Sequence, residues 1–287
     1  MKYAGGQEMS YRVVVDSCGE LTQEMKESGC FINVPLSISV GDYHIIDDET
    51  FNQAEFLKQV AEHPECPKTS CPSPEKYMES YHCDADHIYA VTLSANLSGS
   101  YNSAVLGKNL YEEEYGNKLI HVFNSKSASI GQTLIALKIA ECEEAGMTFE
   151  QVVERVEQFI AEQSTYFVLE SLEALRKNGR LTGMKALVAS ALNIKPYCGA
   201  TPEGTIFQAG QARGIKKALS KMIDAFVKEL KNSEEKIVAI SHCNCLERAM
   251  DVKRMLEEKI TPKKIIVLST NGISSTYASD GGIIISG

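Results

Sequence analysis

The stretch Asp86–Ala104, DHIYAVTLSANLSGSYNSA, constrains the fold of this chain more than any other. It opens with an apolar run, Ile88 to Leu93, which reads as a buried strand. A loop of small hydroxyl residues follows: Ser94, Ser98, Gly99 and Ser100. A helical pattern begins at once, with Tyr101, Ala104, Val105 and Leu110 on one side. A strand that feeds a Gly/Ser loop and then a helix leaves backbone N–H groups free at a positive dipole end. Such a place suits an anion, a phosphate or a carboxylate, and hydroxyls there can grip it directly.

The rest of the first half repeats this alternation. Tyr11–Asp16 is an apolar strand, Thr22–Gly29 a short helix stopped by Gly29, and Phe31–Leu36 a second strand in which Pro35 marks an edge or an end. Asp48–His63 reads as a helix capped by Glu49 or Thr50. Ser73-Pro74 starts another that runs to Cys83, with a hydroxyl at the cap and proline at the first helical position. Lys118–Asn124 is a strand and Ile130–Ala145 a helix. Thr148 and Gln151 form a capping-box pair for a helix reaching Gln163. Strands alternating with helices imply a parallel sheet with helices on both faces.

From Thr165 the pattern changes. Tyr166–Leu169 reads as a strand, Leu172–Lys177 and Leu187–Leu192 as short helices. Ile194–Cys198 and Thr205–Ala209 flank a turn at Pro202-Glu203-Gly204, as in a hairpin. A long helix over Gly214–Leu230 and a helix over Leu246–Lys259 alternate with strands Ile237–Ser241, Lys264–Leu268 and Ile283–Ser286. Hairpins mixed with crossovers give an α+β unit with a mixed sheet. The expected organisation is α/β in two domains, residues 11–164 and 165–287. Residues 1–10 are expected to be disordered or left over from an expression vector.

Length and composition agree with this division. A chain of 287 residues fits two domains more readily than one. A net charge of -9 argues against a nucleic-acid partner. No apolar run approaches the ~20 residues of a membrane helix, so no integral membrane segment is expected. Nine cysteines form an odd set without a regular framework, which reads as reduced thiols in a cytoplasm.

The chemistry-bearing motifs are few. Lys68-Thr69-Ser70-Cys71-Pro72-Ser73 is a second hydroxyl loop; its plain reading is a helix cap at Ser73 and a solvated turn. If it lies at the same sheet end as the Ser98 loop, the two can converge on one anionic group. Leu97-Ser98-Gly99-Ser100 is no nucleophile elbow, and none of the six histidines stands in a recognisable base context. His242-Cys243-Asn244-Cys245 lacks the spacing of a zinc site, so no metal or cofactor is expected. Arg176, Lys177 and Arg180 near a helix end suit the dipole there, or face an acidic partner or a phosphate. Arg213, before a helix, makes a surface ion pair or clamps a carboxylate or phosphate.

Taken together these residues resemble the DegV family of bacterial proteins from about Tyr11 to Gly287. Asp16-Ser17, then Val34-Pro35-Leu36 with Asp47, look like its opening motifs. Thr69-Ser70-Cys71-Pro72-Ser73 is similar to its Thr-Ser-Gln-Pro-Ser loop, and Leu97-Ser98-Gly99-Ser100-Tyr101 to its serine loop. Leu175 to Leu181, Leu192-Asn193-Ile194-Lys195-Pro196 and Glu203-Gly204 complete the match.

The resemblance implies a two-domain protein that binds a long-chain fatty acid such as palmitate. The tail would lie in an apolar tunnel mostly within the first domain, and the carboxylate between the domains. Thr69 and Ser98 match the family's carboxylate-holding residues; Ser70, Arg213 and Tyr277 are further candidates near the head group. Some members present the acid to a separate fatty acid kinase. In those, an Arg matching Arg213 and a His in the C-terminal loop contribute. Here Tyr277 stands in the place of that His, and Asp280 replaces a Pro. Tyr hydrogen-bonds a carboxylate but is no cation at neutral pH. Lipid binding is expected to survive that change, with the protein itself non-catalytic. Two other classes stay open: a serine hydrolase or acyltransferase using Ser98, and a lipid-responsive regulatory module.

Overall fold

The computed structural model describes residues 11–181 and 193–287. The vector-derived reading of residues 1–10 and the short helix at Leu187–Leu192 fall outside them.

In the first half the chain runs β1 (Tyr11–Asp16), α1 (Gln23–Ser28), β2 (Phe31–Val34), β3 (Ser37–Val40), β4 (Tyr43–Ile46), α2 (Gln53–Glu62), β5 (Lys68–Ser70) and α3 (Pro74–Tyr81). It continues with β6 (His87–Thr92), α4 (Ser100–Tyr115), β7 (Leu119–Asn124), α5 (Ile130–Glu144) and α6 (Phe149–Glu162). β2, β1, β6 and β7 lie side by side, all parallel. Successive side chains of a strand point to opposite faces. Val13 and Val15 accordingly pack with Ile135, Ile139 and Val156 of α5 and α6. Val14 packs on the other face with Tyr77, Tyr81 and Ala104 of α3 and α4. This is the helix-covered parallel sheet expected from the alternation.

The later elements are β8 (Thr165–Val168), α7 (Glu173–Lys177), β9 (Ile194–Ala200), β10 (Ile206–Arg213) and α8 (Ile215–Glu229), then β11 (Ile237–His242), α9 (Leu246–Glu257), β12 (Lys264–Ser269), α10 (Gly272–Ala278) and β13 (Ile283–Ser286). Their strands form one mixed sheet, in the order β10-β9-β8-β13-β11-β12. Only β11–β12 is a parallel pair within it. α5 is wedged between the two sheets. Ile135 and Ile139 face the parallel sheet, while Ile130 and Leu134 meet Ala239 and Ile266 of the mixed one. A helix apolar around most of its girth is one buried on both sides.

Three local expectations are corrected. The second strand stops at Val34 instead of Leu36, because Pro35 has no N–H to give a ladder. The chain then enters a small antiparallel sheet, β4-β3-β5, whose β5 includes Thr69-Ser70, read as a solvated turn. The helix expected from Asp48 begins at Gln53, and its cap is Asn52, whose side chain accepts from the Glu55 N–H at 3.0 Å. Asp48 instead closes a turn on Thr50, at 2.9 Å to its N–H. Finally, Gly272–Ala278, read as part of a loop, is a helix.

Candidate functional site

Parallel strands place their following loops at one edge, and three such loops build one wall of a cavity. The loop after β1 carries Cys18, the loop after β6 carries Leu93, Leu97 and Ser98, and the loop after β7 carries Ser127, Ala128 and Ser129. Asp16, at the end of β1, ties them together. One carboxylate oxygen accepts from the Leu93 N–H (2.7 Å), the other from the Gln132 side chain (2.9 Å) and the Cys18 N–H (3.2 Å). Burial raises its pKa to about 6, against the pull of those donors. Glu20 is likewise pushed up to about 7 by burial, while Ser129 donates to its carboxylate at 2.9 Å. The Cys18 thiol is driven well up by burial, so it stays neutral.

The facing wall comes from the mixed sheet. Thr165, Phe167 and Leu169 of β8 and its continuation all line the cavity, with Ile284 of β13 beside Phe167. Alternate residues along one strand over four steps span about 13 Å, so the space is elongated. The β9–β10 turn closes one flank with Gly204, Thr205 and Ile206. Its tip is pinned to the serine loop: the Ser94 hydroxyl donates to the Gly204 carbonyl (2.7 Å) and the Asn96 amide to that of Glu203 (2.6 Å).

The walls bound about 840 Å³, counting the open end. The expectation of a tunnel mostly within the first domain is corrected. Phe167, Leu169, Leu175, Ile206, Ile273 and Ile284 of the later half line it together with Leu36, Leu93, Leu97 and Ala128 of the first. The reason is that the loops of the parallel sheet are short and hydroxyl-rich, and the broad apolar face belongs to the mixed sheet.

Thr69 and Ser98 both line this cavity. Thr69 sits on β5 opposite Ile38, and its hydroxyl is 2.8 Å from that of Tyr277 on α10. Ser98 accepts from the Ser100 N–H (3.2 Å), and its hydroxyl lies 3.0 Å from that of Ser100. The two hydroxyl loops touch: the Cys71 sulfur is 3.8 Å from the Ser103 hydroxyl, and a Cβ on Gly99 would come within 3.0 Å of it. Tyr277 also lines the cavity, and burial raises its phenol, so it remains a hydrogen-bond donor at neutral pH.

Two secondary candidates lie elsewhere. Ser70 follows Thr69 on β5 and is exposed, because neighbouring strand residues face opposite ways. Arg213 is exposed at the open end of the β9–β10 hairpin, paired with Ile194. It stands seven residues, or about 23 Å along β10, from Ile206, which lines the cavity.

The cation at the cavity is Arg180, from the cluster of three noted in the sequence. Its side chain donates to the Leu97 carbonyl (3.1 Å) and to that of Asn178 (2.5 Å). Its guanidinium carbon is 6.0 Å from the centre of the Tyr277 ring. Arg176 and Lys177, by contrast, pair with Glu173 on the surface. The signal that separates Arg180 is its place after the Asn178-Gly179 helix stop, which turns the chain back toward the Ser98 loop. Lys126 joins the lining, on a backbone of φ 50°.

Among the described residues no three His, Cys, Asp or Glu side chains gather as metal ligands, and no helix is long and apolar enough to cross a membrane. All nine cysteines are free thiols.

Comparison with known proteins points one way. The family model "Uncharacterised protein, DegV family" matches residues 10–286. A DegV domain-containing protein of Streptococcus gordonii is 33% identical over 279 residues, 96% of this chain and 98% of that protein. A DegV family protein of Ruminococcus gnavus, solved with vaccenic acid, is 62% identical, with a TM-score of 0.96 over 98% of this chain and 100% of that one. The fatty acid kinase (Fak) B3 protein of Streptococcus pneumoniae, loaded with linoleic acid, is 30% identical, with a TM-score of 0.87 over 97% and 99%.

Proposed function

Since this chain belongs to the DegV family, we propose that it binds a long-chain fatty acid, with the tail in the channel between the two sheets and the carboxylate at Thr69, Ser98 and Tyr277. One observation carries the reading: two hydroxyls, Thr69 on β5 and Ser98 in the loop after β6, open on one elongated apolar cavity. The relatives solved with vaccenic and linoleic acid support the ligand class.

The energetics fit. Each buried methylene contributes about 0.8 kcal/mol, so a palmitate-sized tail supplies on the order of 10 kcal/mol gross. Association and ordering remove much of that. The channel therefore supplies affinity, and the hydroxyls fix which end points out. Arg180 adds a positive charge close to Tyr277, where a carboxylate gains most from it.

The protein acts as a binding protein and not as a hydrolase. None of the six histidines is bonded to Ser98: His44 meets Ser39, His63 the Glu65 N–H, His87 Glu143, His121 Glu157 and His242 the Cys245 N–H, while His82 packs on Tyr115. A serine without a base is a weak nucleophile. The likeness to the Fak B3 protein extends the proposal to presenting the bound acid to a separate kinase. Free thiols throughout fit work in a reducing cytoplasm.

The test is denaturing extraction of the purified protein followed by mass spectrometry of the lipid fraction, with binding of added palmitate or oleate measured in parallel. One equivalent of a long-chain acid is expected. Absence of any acyl species together with no uptake of either acid defeats the proposal.

A further inference from the structure

Tyr277 reaches Thr69 from a helix that belongs to the far end of the chain. α10 is two turns long and rich in residues that favour other conformations: GISSTYA. Its position is set from the first half. Asp47 is 2% exposed and accepts with both oxygens, from the Gly272 N–H (2.6 Å) and the Ile273 N–H (2.8 Å). These are the first two amides of the helix, which have no partner within it. The fit is close: a Cβ on Gly272 would lie 2.6 Å from the Asp47 oxygen and 2.8 Å from Ile38.

A second fastening lies beside it. The Gln53 side-chain amide donates to the Thr270 carbonyl (2.9 Å) and to the Ser275 hydroxyl (3.0 Å). Asp47 and Gln53 thus grip the start and the middle of the same short helix. Among the described residues no Lys, Arg or His forms an ion pair with Asp47, and Asp16, of like sign, adds to the effect of burial on it. A buried carboxylate with no cation is a costly way merely to hold two segments together. Its two oxygens put a separate acceptor on each of two adjacent amides, where an amide side chain has one oxygen to serve both.

Resting on the fatty-acid reading above, we propose that Asp47 is a positioning residue: by clamping the first turn of α10 it sets the Tyr277 hydroxyl against Thr69, and so the geometry of the carboxylate end of the channel. Asp47 touches no ligand. Ile273 seats the helix in the cluster of Leu36, Ile38 and Phe56, and Ala278 seats its end beside Leu169 and Leu175. The helix is held at its flanks by packing, and Asp47 fixes its start.

The experiment pairs Asp47→Asn with Tyr277→Phe. Asparagine keeps the volume but turns an N–H₂ toward one of the two amides. Oleate affinity is measured for wild type, both single variants and the double variant. Asp47→Asn is expected to weaken binding about fivefold in the wild type and less than twofold in the Tyr277→Phe background, because contacts acting through one another are not additive. In protein labelled with 3-fluorotyrosine, the ¹⁹F resonance that Tyr277→Phe removes is expected to shift in Asp47→Asn without ligand present. Equal losses in both backgrounds, or an unmoved resonance, overturn the inference. Wild type that binds no fatty acid overturns the functional reading instead, and the ligand-free resonance still decides the role of Asp47. Should Asp47→Asn not fold, Gln53→Leu in the same cycle carries the test, with the same pair of outcomes.

Discussion

Removing the two hydroxyls tests the carboxylate end of the channel. In Thr69→Val the side chain keeps its shape and loses its oxygen, leaving the Tyr277 hydroxyl without the partner it has at 2.8 Å. In Ser98→Ala the Ser100 N–H loses its acceptor at 3.2 Å. A hydrogen bond to a charged group is worth about 1.5–3 kcal/mol, which converts to roughly 10- to 150-fold in affinity for each variant. On the proposed binding mode the two hold one head group, so the double variant should fall short of the product of the singles. The apolar lining is untouched, so the double variant should still take up a fatty alcohol of the same length nearly as well as wild type. Displacement of a fluorescent fatty acid reads both ligands, with thermal unfolding as a check on folding. A folded double variant within twofold of wild type for oleate refutes the reasoning. So would a parallel loss for the alcohol, which would place the effect on the tail.

Other consequences follow from the same geometry. Affinity across saturated acids should rise by about 0.8 kcal/mol per added methylene until the channel is full and then level off; isothermal titration of a ten- to twenty-carbon series shows the break, and a flat series contradicts the channel. Gly204→Ala places a side chain at φ +83°, 2.4 Å from the Ser94 hydroxyl and 2.8 Å from the Lys126 Cα. It should cost about 1–3 kcal/mol in denaturant unfolding, and ligand dissociation should speed up as the hairpin tip loosens; an unchanged midpoint argues against the close approach. Burial raises Asp16 and Asp47 to about 6 and Glu20 to about 7, so the folded chain holds protons that the unfolded chain has already released. Their contribution is present in full below the ordinary carboxylate range and is lost as pH rises through about 6 to 7, on the order of 3 kcal/mol per group. Urea unfolding should show higher stability at pH 5 than at pH 8, with the difference reduced in Glu20→Gln; greater stability at pH 8 contradicts this.

The parallel sheet was readable because its two central strands, β1 and β6, are buried on both faces. Val13 to Val15 and Ile88 to Val91 form unbroken apolar runs that leave no other assignment. Local chemistry was equally plain where one side chain does one job. Thr148 and Gln151 cap α6 reciprocally, and Pro74 opens α3. The small sheet was not readable, since β4 is largely exposed and β5 is three residues long, with no alternation to detect. Nor was α10, whose Ser, Thr and Ile argue against a helix locally. Its first turn is fastened by Asp47, 225 residues away, a partner that no window of sequence contains. The hydroxyls of the site announced themselves as clusters, whereas Arg180 stood among other cations. Only the turn at Gly179 and the carbonyl of Leu97 distinguish it from Arg176 and Lys177.

The most direct measurement is a crystal structure of the protein crystallised with oleate. The account predicts continuous density for one acyl chain running between the Ser127–Ser129 loop and β8, with its carboxylate within hydrogen-bonding distance of the Thr69 and Ser98 hydroxyls. An acid bound the other way round, or seated anywhere outside that channel, contradicts it.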